Sequence, residues 1–170
     1  MLDESPLVSI EKLRVEFETN DGVVVGVKDV SFDIKPGECV CVVGESGSGK
    51  SVSSLSLMRL VEFGGGTITN GKLMFDTGDG KVVDLVRQST PVMRDIRGNQ
   101  IGMIFQEPMT ALNPVFTVGD QLAEGLIEHR GLDKKAARAR ALEILKQVRI
   151  PEPERRMDQY PHELSGGMRQ

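Results

Sequence analysis

This sequence predicts an α/β fold, on three observations. A short apolar run, Cys39–Val43 (CVCVV), leads into a glycine-rich stretch, Gly44–Ser51 (GESGSGKS), and then into Val52–Val61, which can form a helix. Upstream of it, apolar residues alternate with polar ones, the period of half-buried strands. Downstream of Gln106 the apolar spacing widens to that of helices.

The elements follow in chain order. Leu13, Val15 and Phe17 alternate, as do Val30, Phe32 and Ile34, and Val23–Val27 is apolar and β-branched. These segments read as strands, with Asn20-Asp21-Gly22 as the turn between the first two. Lys35-Pro36-Gly37-Glu38 is a second turn, leading into Cys39–Val43 as a buried core strand. That assignment puts the two cysteines, Cys39 and Cys41, on one strand face as buried thiols in a reducing compartment. Gly64-Gly65-Gly66 ends the helix after the glycine-rich stretch, and Lys72–Asp76 with Lys81–Leu85 forms a hairpin. Ile101–Phe105 (IGMIF) reads as another core strand.

Thr117-Val118-Gly119-Asp120 has the form of a capping box, with Val118, Leu122 and Leu126 on one helical face. Asp133 caps a further helix whose buried side is Ala141, Leu145 and Val148, and Pro151 and Pro153 end it. That helix opens with Lys134, Lys135, Arg138 and Arg140, against its own macrodipole. Two readings of this run stand: a solvated face, or a docking surface for an acidic partner. His129 and His162 are far apart and read as structural or surface residues.

A chain of 170 residues, 39% of them hydrophobic, is one domain or a large part of one. The net charge of −4 gives no electrostatic case for binding DNA or RNA. The start, MLDESPLVS, is not a secretory signal, and no apolar stretch approaches the length of a transmembrane helix. The expectation is a soluble chain, or one held at a membrane surface by a partner.

The chemistry sits first in Gly44, Glu45, Ser46, Gly47, Ser48, Gly49, Lys50 and Ser51, which fit G-x-x-x-x-G-K-[ST]. Glycines let backbone N–H groups converge on phosphate oxygens, and a helix starting near Lys50 turns its positive end to the same anion. Lys50 then reaches the β- and γ-phosphates and the Ser51 hydroxyl binds Mg²⁺.

Three motifs taken together, GESGSGKS at 44–51, FQEPMTALNP at 105–114 and PHELSGGMRQ at 161–170, give a chain that resembles the ATP-binding subunits of ABC transporters. The resemblance runs from about Leu7 to Gln170. A phosphate loop is shared by many NTPases, whereas the LSGG core is far more specific. Met168 and the EPMTALNP stretch point to the dipeptide/oligopeptide importer group, which includes nickel importers. The resemblance implies a phosphate-loop NTPase core of ABC type with an antiparallel β-subdomain and a helical subdomain, divided as 1–106 and 107–170. It implies that Phe17 stacks on adenine; plain core packing of Phe17 stays open beside that. It implies that Gln106 touches Mg²⁺ and the attacking water and links the chemistry to the membrane partner. Ser165, Gly166 and Gly167 would close over the γ-phosphate of ATP held by an opposite subunit.

The implied cofactors are ATP and Mg²⁺. The implied partners are a second ABC ATPase subunit in a head-to-tail dimer, transmembrane permease subunits and, indirectly, a solute-binding protein, with no nucleic acid. The implied place is the cytoplasmic face of the inner membrane. In the family, the Walker B strand with its Mg²⁺-binding Asp, the catalytic Glu and the switch His follow the signature. The sequence therefore reads as incomplete at the C-terminus, and residues 1–170 alone are expected to release phosphate only at background rates. A nucleotide-binding remnant without turnover and a nickel importer subunit are the alternatives. A DNA-repair or translation ATPase would call for a zinc-ligand insertion, a long coiled coil or a basic face, and the sequence shows none.

Overall fold

The computed structural model describes residues 5–106 and 111–170. Glu107, Pro108, Met109 and Thr110, which belong to the FQEPMTALNP motif, lie outside the described residues. The chain divides into two compact units, Met1–Gln100 and Ile101–Gln170.

The first unit is built on a four-stranded antiparallel sheet in the order β2-β1-β3-β4, with β1 Val8–Thr19, β2 Gly22–Ile34, β3 Gly66–Asp76 and β4 Val82–Asp84. The expected turn joins β1 to β2: Thr19 pairs with Gly22, and its hydroxyl donates to the Gly22 carbonyl at 2.7 Å. The two apolar segments expected between Val23 and Ile34 are one strand. Alternation on β1 buries Val8, Ile10, Leu13 and Val15, and β3 contributes Leu73 and Phe75 to the same core.

The β1–β2 pairing is broken three times. Its register shifts between Ile10 and Leu13, between Leu13 and Val15, and between Val15 and Glu16. Lys12 (φ 47°) and Asp29 (φ 54°) carry left-handed backbone at the first two breaks, and the Lys12 N–H donates to the Ser31 hydroxyl at 2.8 Å. The third leaves Gly26 unpaired, because Val15 faces Val27 while Glu16 faces Val25.

The Lys35–Glu38 turn forms as expected, closed by a Glu38 N–H bond to the Lys35 carbonyl at 3.1 Å. The expected core strands do not. Residues 39–43 belong to no strand, with Val43 83% exposed and both cysteines exposed. Residues 102–105 likewise belong to none, with Ile104 96% exposed. An apolar run becomes a strand only beside another strand, and among the described residues neither run joins the sheet, Ile101 alone forming an isolated bridge.

Helix α1, Lys50–Leu57, starts where expected but is shorter. Arg59 turns left-handed (φ 51°), a 3₁₀ turn spans Leu60–Gly64, and Gly65 (φ 80°) closes it. The β3–β4 hairpin pairs Asp76 with Val82, and β3 begins six residues earlier than the Lys72 start expected. Helix α2, Thr90–Asn99, has no counterpart in the expectations. It has a proline in its first turn and buries Met93 and Ile96, and its helical geometry breaks at Arg97 and Gly98.

The second unit holds α3 (Val118–Arg130), α4 (Lys134–Gln147), α5 (Pro153–Met157) and α6 (Gly166–Arg169). Both expected caps form. The Thr117 hydroxyl oxygen accepts from the Asp120 N–H at 3.2 Å, and an Asp133 carboxylate oxygen accepts from the Ala136 N–H at 2.9 Å. Ala141, Leu145 and Met157 form the core, with Leu122, Leu142 and Ile150 against it. Val148, expected on the buried side of α4, is 61% exposed, because the helix has ended at Gln147; Ala137 is buried instead. Pro153 opens α5 rather than ending α4.

Candidate nucleotide site and signature segment

The sequence between the Lys35–Glu38 turn and α1 folds into a loop around a cation. A Ser48 N–H bond to the Glu45 carbonyl (3.2 Å) makes the bend, and Gly47 (φ 81°) and Gly49 (φ 88°) take left-handed conformations. The Lys50 ammonium donates to the carbonyls of Gly44 (2.7 Å) and Glu45 (2.6 Å) and to the Ser48 hydroxyl (3.4 Å). A cavity of about 160 Å³ opens beside it, lined by Gly26 and residues 47–52. Helix α1 has no acidic residue in its first turn, so nothing offsets its positive end, and the Ser51 side chain stands there exposed. A fixed ammonium, a helix N-terminus and a free hydroxyl are a donor set suited to phosphate oxygens, and the hydroxyl oxygen suits Mg²⁺.

Sequence reasoning missed one residue of this site. A Cβ on Gly26 would lie 2.6 Å from Cε2 of Phe17 and 3.7 Å from Cγ1 of Val52. The Gly26 carbonyl would in turn lie 2.5 Å from a Cβ on Gly49. Gly26 is thus the shared neighbour of the Phe17 ring and the phosphate loop. The available signal was a glycine inside the β-branched run Val23-Val24-Val25-Gly26-Val27, a pattern that marks a bulge or a close backbone approach.

Phe17 itself pairs with Val24 on one side and Gly66 on the other, and a Cβ on Gly66 would sit 2.8 Å from its ring. The ring therefore lies against two glycines and remains half-buried. If its open side takes a base, Phe17→Ala should weaken ATP binding by about 1–3 kcal/mol with the fold retained. Isothermal titration alongside a thermal melt checks this; a large loss of stability with unchanged affinity would assign the ring to packing instead.

The signature residues lie in the second unit, as does the exposed Gln106. Ser165 caps α6, its hydroxyl oxygen accepting from the Met168 N–H at 3.4 Å. Gly166 and Gly167 are exposed, and a Cβ on either would meet nothing within 4 Å. The packing of this chain does not require glycine there. The structure thus brings Phe17 together with the phosphate loop through Gly26, whereas Gln106 and Ser165–Gly167 share the second unit with no bond or contact described between them. The basic run of α4 is partly absorbed internally: Arg140 pairs with Glu143 at 2.7 Å, and Arg138 with Asp120 and Asp158.

Residues 27–170 match the ABC transporter family model. The chain belongs to the ABC transporter family. Among relatives of this ABC chain, a putative peptide import ATP-binding protein of Brucella abortus is 52% identical over 99% of the chain and 50% of the relative. The dipeptide transport ATP-binding protein of Bacillus subtilis is 51% identical over 96% of the chain and 48% of its own length. A glutathione import ATP-binding protein of Pectobacterium atrosepticum is 51% identical over the whole chain and 27% of its length. The ABC chain therefore spans about half, or less, of these curated relatives. A dimeric ATP-binding cassette solved with ADP and Pi superimposes with a TM-score of 0.78 at 28% identity, over 95% of this chain and 65% of that one. The fold is thus the ABC-type α/β cassette, of which these residues supply the antiparallel sheet, the phosphate loop and the helical segment. Among the described residues no helix is long and apolar enough to cross a membrane.

Proposed function

We propose that this chain is the ATP-binding, energy-coupling part of an ABC importer for dipeptides and oligopeptides. The observation that carries the proposal is the phosphate loop closed around Lys50, in a chain that also bears LSGGMRQ. The solute class rests on relatives named for peptide, dipeptide and glutathione import.

The residues divide the work. The Lys50 ammonium neutralises and orients phosphate oxygens, and the loop N–H groups and the α1 N-terminus add to that field. The Ser51 hydroxyl and the Gln106 side-chain oxygen are the groups that would hold Mg²⁺, which when bound supplies further neutralisation of phosphate charge. Phe17 orients the base. Gln106 positions the attacking water. Ser165, Gly166 and Gly167, all exposed and with open space where a Cβ on either glycine would stand, meet the nucleotide of a second ATPase subunit in a head-to-tail dimer. Closure of that dimer drives permease subunits at the cytoplasmic face of the inner membrane, where this chain is held by protein contact, and a solute-binding protein delivers the peptide.

Lys50→Ala should weaken ATP binding by about 1.5–3 kcal/mol, the value of a charge-assisted contact. Titration of a non-hydrolysable analogue into both proteins measures it, and equal affinities would refute the assignment.

A further inference from the structure

We propose that Arg138 is a positioning residue for the signature segment: by joining Asp158 to Asp120 it fixes where Ser165, Gly166 and Gly167 stand. The proposal rests on the reading that those residues act on a bound nucleotide. The α4 side chain of Arg138 reaches two other parts of the unit. One guanidinium nitrogen donates to Oδ1 of Asp120 on α3 at 3.1 Å, and another to Oδ1 of Asp158, just after α5, at 2.5 Å. Asp120 is itself held by the Thr117 hydroxyl at 2.9 Å. That bond foremost, then the charges of Lys134 and Arg138, keeps its carboxyl below the usual carboxylate range. A planar fork with several N–H donors can satisfy two carboxylates at once, which a lysine ammonium on a flexible stem does poorly.

The backbone makes the same connection. The Val118 N–H donates to the Gln159 carbonyl at 2.9 Å, and Gly119 sits so close to the α5 end that a Cβ would lie 2.6 Å from the Met157 carbonyl oxygen. From Asp158 to the signature little slack remains. A Glu163 carboxylate oxygen accepts from the Tyr160 N–H at 2.8 Å, and the Glu163 N–H returns to the Tyr160 carbonyl at 3.0 Å. Leu164 is buried, and Arg169 donates to its carbonyl at 3.1 Å. Displacement at Asp158 therefore carries through to Ser165. Arg140, by contrast, pairs within its own helix and Lys146 pairs with Glu154 in the first turn of α5 at 2.7 Å, whereas Arg138 holds Asp158 itself, at the start of the path to the signature.

The test uses the full-length subunit assembled with its partner subunits, because residues 1–170 alone are expected to release phosphate only at background rates, and it carries Arg138→Met, Arg138→Lys or Asp158→Asn; the Asp158 side chain is 77% exposed, and a thermal melt checks that each variant stays folded. Amide hydrogen exchange at 159–170 should quicken at least about tenfold in Arg138→Met and Asp158→Asn, with exchange at 44–51 unchanged. Turnover at saturating ATP should fall about tenfold while nucleotide affinity stays within about twofold. Arg138→Lys should restore less than half of the lost rate, and the Arg138→Met/Asp158→Asn double variant should be no worse than Arg138→Met alone. Unchanged exchange at 159–170 would overturn the proposal, as would affinity falling in step with turnover. Absence of Lys50-dependent turnover in the unmodified protein would sink the ATPase reading instead, and the exchange data would still decide the role of Arg138.

Discussion

Gly49→Ala is expected to lower nucleotide affinity at least a hundredfold, about 2.7 kcal/mol. Two costs combine. The backbone at Gly49 is left-handed (φ 88°), which costs a residue with a Cβ about 1–2 kcal/mol. The added carbon would also lie 2.5 Å from the Gly26 carbonyl oxygen and 3.2 Å from Cγ2 of Val27. The first of these is backbone of a strand and cannot rotate away. The loop must shift, and with it the carbonyls that hold the Lys50 ammonium. Gly47→Ala is the internal comparison: its φ is 81°, yet nothing lies within 4 Å of a Cβ there, so only the conformational cost remains. Titration of a fluorescent ATP analogue into both variants reads the difference, and an affinity for Gly49→Ala within threefold of the unmodified protein would contradict the described geometry.

The largest expected loss of stability is at Gly71, far from the phosphate loop in sequence. Gly71 adopts φ 103°, and a Cβ there would lie 2.6, 2.7 and 2.8 Å from the Glu11 carbonyl oxygen, the Lys12 carbonyl oxygen and the Leu13 Cα. All three are backbone atoms at the β1 bulge, so relief requires breaking the β1–β3 pairing locally. Gly71→Ala should destabilise the protein by about 3 kcal/mol or more, whereas Gly80→Ala, with φ 80° and open space, should cost about 1–2 kcal/mol. Urea denaturation followed by circular dichroism measures both. A loss below 1 kcal/mol for Gly71→Ala would mean that the strands do not approach as described.

What was legible in the sequence was local. The phosphate loop, the Lys35–Glu38 turn, the Thr19–Gly22 turn and the caps at Thr117 and Asp133 each depend on a few adjacent residues with their own chemistry, and each formed. What was not legible depended on distant residues. Cys39–Val43 and Ile101–Phe105 have the composition of buried strands, but pairing is decided by what lies alongside. Helix α2 was missed although Ser89-Thr90-Pro91 begins like a helix and Met93 and Ile96 are spaced as its buried side. Val148 continued the apolar spacing of α4 past the point where its backbone left the helix. Gly26 matters because of a ring nine positions earlier and a loop more than twenty positions later, neither of which its neighbours announce.

The interruptions of the β1–β2 ladder bear on how this protein meets copies of itself. Among the described residues β2 is an outer strand of the sheet, thirteen residues long, with Val23, Val24 and Val25 all exposed. A straight strand of that length and composition would present a continuous template of N–H and C=O groups for recruitment of another chain. The bulge at Gly26 and the left-handed turn at Asp29 divide that template into short stretches that twist out of line, and Lys28 and Asp29 place opposite charges at the break. An incoming strand can match one stretch at a time, too few hydrogen bonds to offset its own ordering. The same irregularity that brings Gly26 against the Phe17 ring thereby helps keep the sheet from growing outward into aggregates.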